Sequence, residues 1–415
     1  MKYRLKDKSI LILLFFSLLL ILFGLVMDSP KNIYNGLVKI ILERDILLTD
    51  YIVIGGIGAT FINVGLLSLI FVLILYFMKI PITGISYAAI LSITGFSFFG
   101  KNIFNVWFII IGVYLYAKVK KEKFSQYIYV ALFGTAMSPI TTEFIFSSYL
   151  PWYIGVPLGI LVSILIGFIL APVSTHTLKI HQGYSLYNIG FTAGLISTIV
   201  VSIIRSYGYN PNTRLITSEG NNLLFGILLM VIFLVFIILG SGEKAYKKYF
   251  NLWKYSGRLK TDFIVLEGLN LALINMGLCG IISTLFVLIC GGELNGPTIG
   301  GIFVVVGFGA YGKHPKNIIP IFLGVYIGAL TKIWDIKQTS VLLAALFGTS
   351  LAPIAGEFGL VWGILAAYMH LSVALNVVYL YGGLNLYNNG FSAGLIATFL
   401  VPIIRAFKKE EVSHN

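Results

Sequence analysis

The sequence predicts an all-α polytopic membrane protein with about 14 membrane segments in two inverted 7-segment repeats, with short or broken helices in matching positions. Three observations predict it. The 415-residue chain is 58% hydrophobic and only 11% charged, with a mean hydropathy of +0.93. Apolar runs of spanning length succeed one another with short polar loops between them. The second half also repeats the first. Leu186-Tyr187-Asn188-Ile189-Gly190-Phe191-Thr192-Ala193-Gly194 returns as Leu386-Tyr387-Asn388-Asn389-Gly390-Phe391-Ser392-Ala393-Gly394, an offset of 200 residues (186 to 386). Phe133-Gly134-Thr135 with Pro139 and Glu143 returns as Phe347-Gly348-Thr349 with Pro353 and Glu357. Gly100-Lys101, Asp50 and Asn63 return as Gly312-Lys313, Asp262 and Asn275. So small a drift in offset marks one duplicated and fused unit.

The first segment is expected at 10–28. The basic stretch Met1 to Lys8 ahead of it resembles a signal-peptide start, but the apolar run is long for one and no small-x-small site follows, so a retained helix is expected. The second, 51–78, follows Asp50 and carries Asn63. The third, 84–99, makes only about 24 Å of helix against a hydrocarbon core of roughly 30 Å, and is rich in Gly, Ser and Thr. Segments at 103–118, 125–146, 151–172 and 185–204 complete the first repeat, with Pro139 interrupting 125–146. The second set falls at 222–240, 262–290, 295–310, 317–331, 338–354, 357–381 and 386–404. The repeats therefore occupy residues 1–221 and 222–415, with the motif copies Tyr187–Gly194 and Tyr387–Gly394.

Loop charge sets the orientation. With the N-terminus inside, 21 of the 29 Lys and Arg fall in cytoplasmic loops and termini. Both termini are then cytoplasmic. The odd number of segments per repeat inverts the second, and the strongly basic loop 118–123 faces the opposite side from its counterpart 331–337. The net charge of +13 belongs to this bias, so no nucleic-acid partner is expected. The partners expected are the lipid bilayer and an unidentified small solute, with room for a homo-oligomer.

Paired breaks at corresponding depths point to a transport site. Tyr187, Asn188, Gly190 and Thr192, with their copies Tyr387, Asn388, Gly390 and Ser392, are the candidate substrate-binding residues. Each Asn precedes an apolar run and is placed to cap a helix; each Gly pair at i,i+4 permits close approach, which also suits plain helix packing. Glu143 and Glu357 are candidates for proton or ion coupling, since a carboxylate inside a spanning region is costly; placement in the first turn of a helix after Pro139 or Pro353 is the competing role. Asn63 and Asn275 are expected to bond between helices. Lys101 and Lys313 are expected to snorkel to the interface, with attraction of an anion toward the helix break as the alternative. Cys279 and Cys290 read as packing residues, and the five His lack zinc spacing, so neither metal nor cofactor is expected. With no Walker loop, nucleophile elbow or His-Glu-x-x-His, an enzyme is not expected either.

The segments around Tyr187-Asn188-x-Gly190-Phe191-Thr192-Ala193-Gly194 and Tyr387-Asn388-Asn389-Gly390-Phe391-Ser392-Ala393-Gly394 resemble a bacterial family of two-repeat integral membrane proteins with no assigned function. The resemblance spans nearly the whole chain and implies the cytoplasmic (plasma) membrane. The seven-plus-seven inverted count also resembles uracil-permease-like transporters at the level of fold, without their residue motifs. The function expected is secondary transport of a small polar or anionic solute, with proton coupling as an option. A passive channel of the urea-channel type and a non-transporting scaffold or sensor subunit are the alternatives.

Overall fold

The computed structural model of the protein describes residues 8–147, 149–211 and 213–413, so most of the basic N-terminal stretch lies outside the described residues. The first repeat contains α1 (Lys8–Met27), α2 (Pro30–Leu42), α3 (Tyr51–Phe77), α4 (Gly84–Phe96), α5 (Trp107–Val119), α6 (Ile128–Gly134), α7 (Pro139–Phe146), α8 (Trp152–Ile180) and α9 (Asn188–Ser206). The second contains α10 (Asn222–Gly240), α11 (Phe263–Glu267), α12 (Leu269–Ile289), α13 (Gly296–Phe308), α14 (Pro315–Thr331), α15 (Thr339–Gly348), α16 (Ala352–Phe358), α17 (Leu360–Asn376), α18 (Val378–Tyr381) and α19 (Asn388–Ser413).

The protein is a helical multi-pass membrane protein. A helix or helix pair lies at every expected segment. Among the described residues, eight helices are long and apolar enough to cross a membrane, or nine if the bent pair α6–α7 is one span. Five others, α4, α5, α13, α14 and α17, are apolar but too short. The segments are therefore a mixture of full spans and partial ones.

One helix lies outside the expected set. Ser29 accepts from Asn32 N at 3.4 Å and Pro30 opens the first turn, a strong helix start. The resulting α2 buries Ile33, Gly36 and Ile40. Its counterpart, Gly242–Lys254, is a 3-10 helix.

Contacts between the repeats are reciprocal. Gly84 N donates to Asp262 Oδ1 at 2.9 Å, while its repeat counterpart Gly296 N donates to Asp50 Oδ2 at 3.1 Å. Leu186 N donates to Ser350 O, and Leu386 N donates to Ala136 O. Such exchanged pairs define a pseudo-two-fold axis. The counterparts α4 and α13 lie side by side and antiparallel: a Cβ built on Gly84 would stand 2.2 Å from Ala310 O, and one on Gly95 would stand 2.3 Å from Gly300 O. Antiparallel counterparts place the axis across the helices, which makes the repeats inverted. At Gly95 and Gly300 the backbones touch, an approach only glycine permits.

Candidate functional site

The short helices end in turns that carry the site's charged groups. Gly100 (φ 107) and Gly312 (φ 98) adopt backbone angles that favour glycine and reverse the chain after α4 and α13. Each turn exposes carbonyls at depth, which need donors. Asn63 Nδ2, on α3, donates to Ser97 O at 2.9 Å and to Lys101 O at 3.0 Å. Asn275 Nδ2, on α12, donates to Gly309 O at 2.6 Å and to Lys313 O at 2.7 Å. The expected interhelical role of this Asn pair thus has a specific target, the loose ends of the two short helices.

Lys101 and Lys313 do not snorkel. The glycine turns direct both inward, and each is fully buried (0% exposed). Lys313 Nζ donates to Tyr187 Oη at 2.6 Å and stands 4.6 Å from that ring's centroid and 5.1 Å from that of Phe308. Lys101 Nζ stands 4.9 Å from the Phe96 centroid and has no hydrogen-bond partner. Tyr387, the repeat counterpart of Tyr187, has a buried hydroxyl whose polar neighbour is Ser92 and not a lysine. One Lys–Tyr pair is joined, and the other is not.

The aromatic rings form a floor on the axis. The Tyr187 and Tyr387 centroids lie 5.6 Å apart. Phe308 packs on Tyr187 at 4.9 Å and Phe96 packs on Tyr387 at 4.5 Å. Above the floor, on the side of the basic loop 118–123, is a cavity of about 370 Å³. Tyr129, Phe133, Phe308 and Tyr311 form much of its wall, Ser174, Tyr187, Asn188 and Tyr387 its polar points, and the exposed Gln126 and Lys260 its rim.

Below the floor lies a pocket of about 60 Å³. Its lining residues are repeat counterparts of residues lining the large cavity, without exception. Phe347 corresponds to Phe133, Leu343 to Tyr129, Phe99 to Tyr311 and Leu48 to Lys260. Asn388 corresponds to Asn188, and the remaining lining residues pair likewise. The two pockets are one site seen twice, open on one side and collapsed on the other.

The substrate-binding candidates divide accordingly. Tyr187, Asn188, Gly190 and Tyr387 line the large cavity, and Asn388 lines the small pocket. Gly190 and Gly390 face each other across the axis, where a Cβ on Gly190 would stand 3.1 Å from Gly390 Cα. Thr192 Oγ1 bonds to Thr177 Oγ1 at 2.6 Å and Ser392 Oγ to Asn388 O at 3.2 Å, so both act within the fold and line neither pocket. Neither Asn is a cap. Each is already the first helical residue, and its side chain reaches back to an earlier helix: Asn188 Nδ2 to Ser174 O on α8 at 2.9 Å, Asn388 Nδ2 to Ala374 O on α17 at 3.0 Å.

The coupling candidates lie elsewhere. Glu143 is buried but ion-paired, its Oε1 2.7 Å from Arg44 Nη2, beside a separate apolar cavity of about 260 Å³. Glu357 is exposed and accepts from Tyr184 Oη. Neither lines the central cavity, so the geometry that proton coupling through them requires is not met. What the favoured reading of the sequence missed is the inward direction of Lys101 and Lys313, for which the repeated Gly-Lys at a helix end was the signal in the chain.

Fold and site together define a class: helical membrane proteins built from two inverted repeats around a central cavity. Within it, the chain belongs to the family described as "Protein of unknown function (DUF1576)", whose model matches residues 29–206 and 241–406, one stretch in each repeat. No curated protein and no solved structure matches the chain.

Proposed function

We propose that this protein is a secondary transporter that carries a small polar or anionic solute across the plasma membrane by alternating access, with both termini and the basic loops on the cytoplasmic side. The observation that carries the reading is the unequal pair of pockets, about 370 Å³ on one side of the aromatic floor and about 60 Å³ on the other, built from corresponding residues. A duplicated frame can exchange the two arrangements, which opens the other side and closes this one. The packed floor of Tyr187, Tyr387, Phe96 and Phe308 weighs against a passive channel, which needs a continuous path. A purely structural scaffold has no use for such a cavity. The reading assigns no coupling role to Glu143 or Glu357.

The test places single cysteines at Tyr129 and at its counterpart Leu343, in a chain whose buried Cys279 and Cys290 are replaced by Ala. Membrane-impermeant thiol reagents are then applied from each face. Position 129 should react only from the cytoplasmic face and position 343 only from the other. Conditions that raise one reactivity should lower the other. Simultaneous reaction of both positions from both faces is the channel result. A position 343 that never reacts under any condition overturns the transporter reading.

A further inference from the structure

Resting on the alternating-access reading, a cluster of buried side chains behind the small pocket gives its opening a control. We propose that Asp45 is a proton-binding site. Protonated, it holds in place the segment that covers the small pocket, and its ionisation releases that segment.

The segment is 43–50, between α2 and α3. Leu47 and Leu48 line the small pocket, and the fully buried Asp45 roots the segment in the protein. Asp45 N donates to Thr142 Oγ1 at 3.2 Å. Its Oδ1 lies 2.5 Å from Tyr51 Oη, and its Oδ2 accepts from Asn105 Nδ2 at 2.8 Å and from Asn102 Nδ2 at 3.2 Å. Asn102 and Asn105 belong to the turn that follows α4, so the cluster ties the segment to one of the two central helices.

The second repeat builds the same joint without the cluster. Gly257, Phe263 and His314 stand where Asp45, Tyr51 and Asn102 stand in the first. Asn317, the counterpart of Asn105, is satisfied by backbone carbonyls, Gly312 O at 2.9 Å and Ser256 O at 3.4 Å. The joint therefore does not need a carboxylate. Three positions that differ together at one contact mark a site added to one half.

The chemistry fits a proton. Asp45 is bonded to neutral groups, and among the described residues no cation pairs with it. The charged groups on the elements around it are engaged elsewhere. Glu43 is paired with Arg214 and Arg44 with Glu143. Asp50 accepts from the amides of Ile52, Gly296 and Ser218. Lys101 Nζ stands over the Phe96 ring, and Lys39 is exposed. A metal cation would meet N–H groups, because the Asn oxygens are taken: Asn102 Oδ1 accepts from Phe104 N and Asn105 N, and Asn105 Oδ1 from Asn102 N. The neutral acid suits the same cluster, with Oδ1–H donating to Tyr51 while Oδ2 goes on accepting from both Asn. The ionised form leaves a charge out of water with no opposite charge beside it.

Burial pushes the Asp45 carboxyl up to about 8, against the bonds from Tyr51, Thr142 and Asn105 that oppose it. The neutral form is thus the one the closed segment favours. Its hold is complete in acid and is lost as pH rises from the ordinary carboxylate range to about 8. Asp45 lines neither pocket, so a proton taken from the outer side returns there. That makes Asp45 a sensor of external pH and not a coupling site.

The experiment labels Leu343→Cys from the outer face between pH 5.5 and 9, in the chain with Cys279 and Cys290 replaced by Ala, with and without Asp45→Asn. Comparing the two at each pH removes the titration of the thiol itself. Relative to Asp45→Asn, the parent's labelling rate should rise by up to about tenfold per pH unit and level off above about 8. Glu43→Gln removes a negative charge that helps keep Asp45 protonated, so it should move the plateau to lower pH. Thermal unfolding of the purified full chain is the second readout: the parent should lose Tm relative to Asp45→Asn as pH rises to about 8. The proposal is overturned if Asp45→Asn keeps the parent's pH dependence in both measurements, if the relative labelling rate falls as pH rises, or if Glu43→Gln leaves the plateau in place. A position 343 that reacts at no pH overturns the transporter reading and the gating role with it, while the thermal comparison still decides whether Asp45 binds the proton.

Discussion

Asp50 and Asp262 each hold the first turn of a short helix that belongs to the other repeat. Asp50 Oδ2 accepts from Gly296 N at 3.1 Å, at the start of α13, and its Oδ1 accepts from Ile52 N at 2.9 Å, at the start of α3. Asp262 Oδ1 accepts from Gly84 N at 2.9 Å, at the start of α4, and from Ile264 N at 3.1 Å, at the start of α11. One carboxylate thus caps two helices at once, and the exchange of caps ties the halves together at both ends of the central pair.

Removing either cap should loosen both central helices. Asp262→Ala is expected to cost about 1–2 kcal/mol, the range of a lost helix cap. Asp50→Ala should cost more, because Asp50 is fully buried and also accepts from Ser218 N and Oγ. Melting curves of the purified variants measure both. Equal, negligible shifts would show that the short helices do not depend on the crossed caps.

The contact of α4 with α13 tolerates no side chain at its centre. Gly95→Val should abolish folded material, since a Cβ there would stand 2.3 Å from Gly300 O. Gly226→Ala is the control: its nearest neighbour is 3.8 Å away and it lies within α10, where Ala is the better helix former. Folded yield by size-exclusion chromatography distinguishes them. Normal yield of Gly95→Val would contradict the antiparallel packing.

Orientation is checked at two exposed positions. Val119 is 68% exposed at the end of α5, and Ile333 is 92% exposed after α14, its repeat counterpart. Cysteines at these positions should react with impermeant reagents from opposite faces, position 119 from the cytoplasm. Labelling from one shared face would place the pseudo-two-fold along the membrane normal and dismantle the inverted arrangement.

The Arg44–Glu143 pair should show an asymmetric response. Arg44 keeps 27% of its side chain exposed and can turn to solvent, whereas Glu143 keeps 1%. Arg44→Ala should therefore destabilise by about 2 kcal/mol or more, since it strands a buried carboxylate, and Glu143→Gln by clearly less. The pH dependence of uptake should not change in Glu143→Gln. A larger stability loss in Glu143→Gln, or an altered pH profile, would return that carboxylate to the transport path.

The architecture was legible because duplication leaves a record in residue order. Asp50 with Asp262 and Asn63 with Asn275 announced themselves as matched pairs, and the short segments before Gly100 and Gly312 marked the central helices. Direction in space was less legible. A Lys at the end of an apolar run reads as an interfacial anchor, and only the glycine turn, fixed by the Asn63 and Asn275 bonds, sends Lys101 and Lys313 inward. Asn188 sits where a cap would, yet it turns back to α8 because His181 and Thr177 already await its oxygen at 2.9 and 3.0 Å. Glu143 finds Arg44 across 99 residues of sequence, a pairing no periodicity reveals. The unequal pockets arise from packing in three dimensions, and the matched sequences of their lining residues do not announce the inequality.

The two halves are not equal in length in the helices that line the two pockets. α8 runs unbroken for 29 residues, whereas its counterpart is divided into α17, with 17, and α18, with 4. In the proposed alternating cycle, two openings framed by unequal helices would differ in free energy, one the resting posture and the other a rarer excursion. Apparent affinity scales with the fraction of molecules already facing the solute. The same duplicated binding groups would therefore present a tight site to one compartment and a weak one to the other, a rectifying bias built into the frame by the loss of about two helical turns.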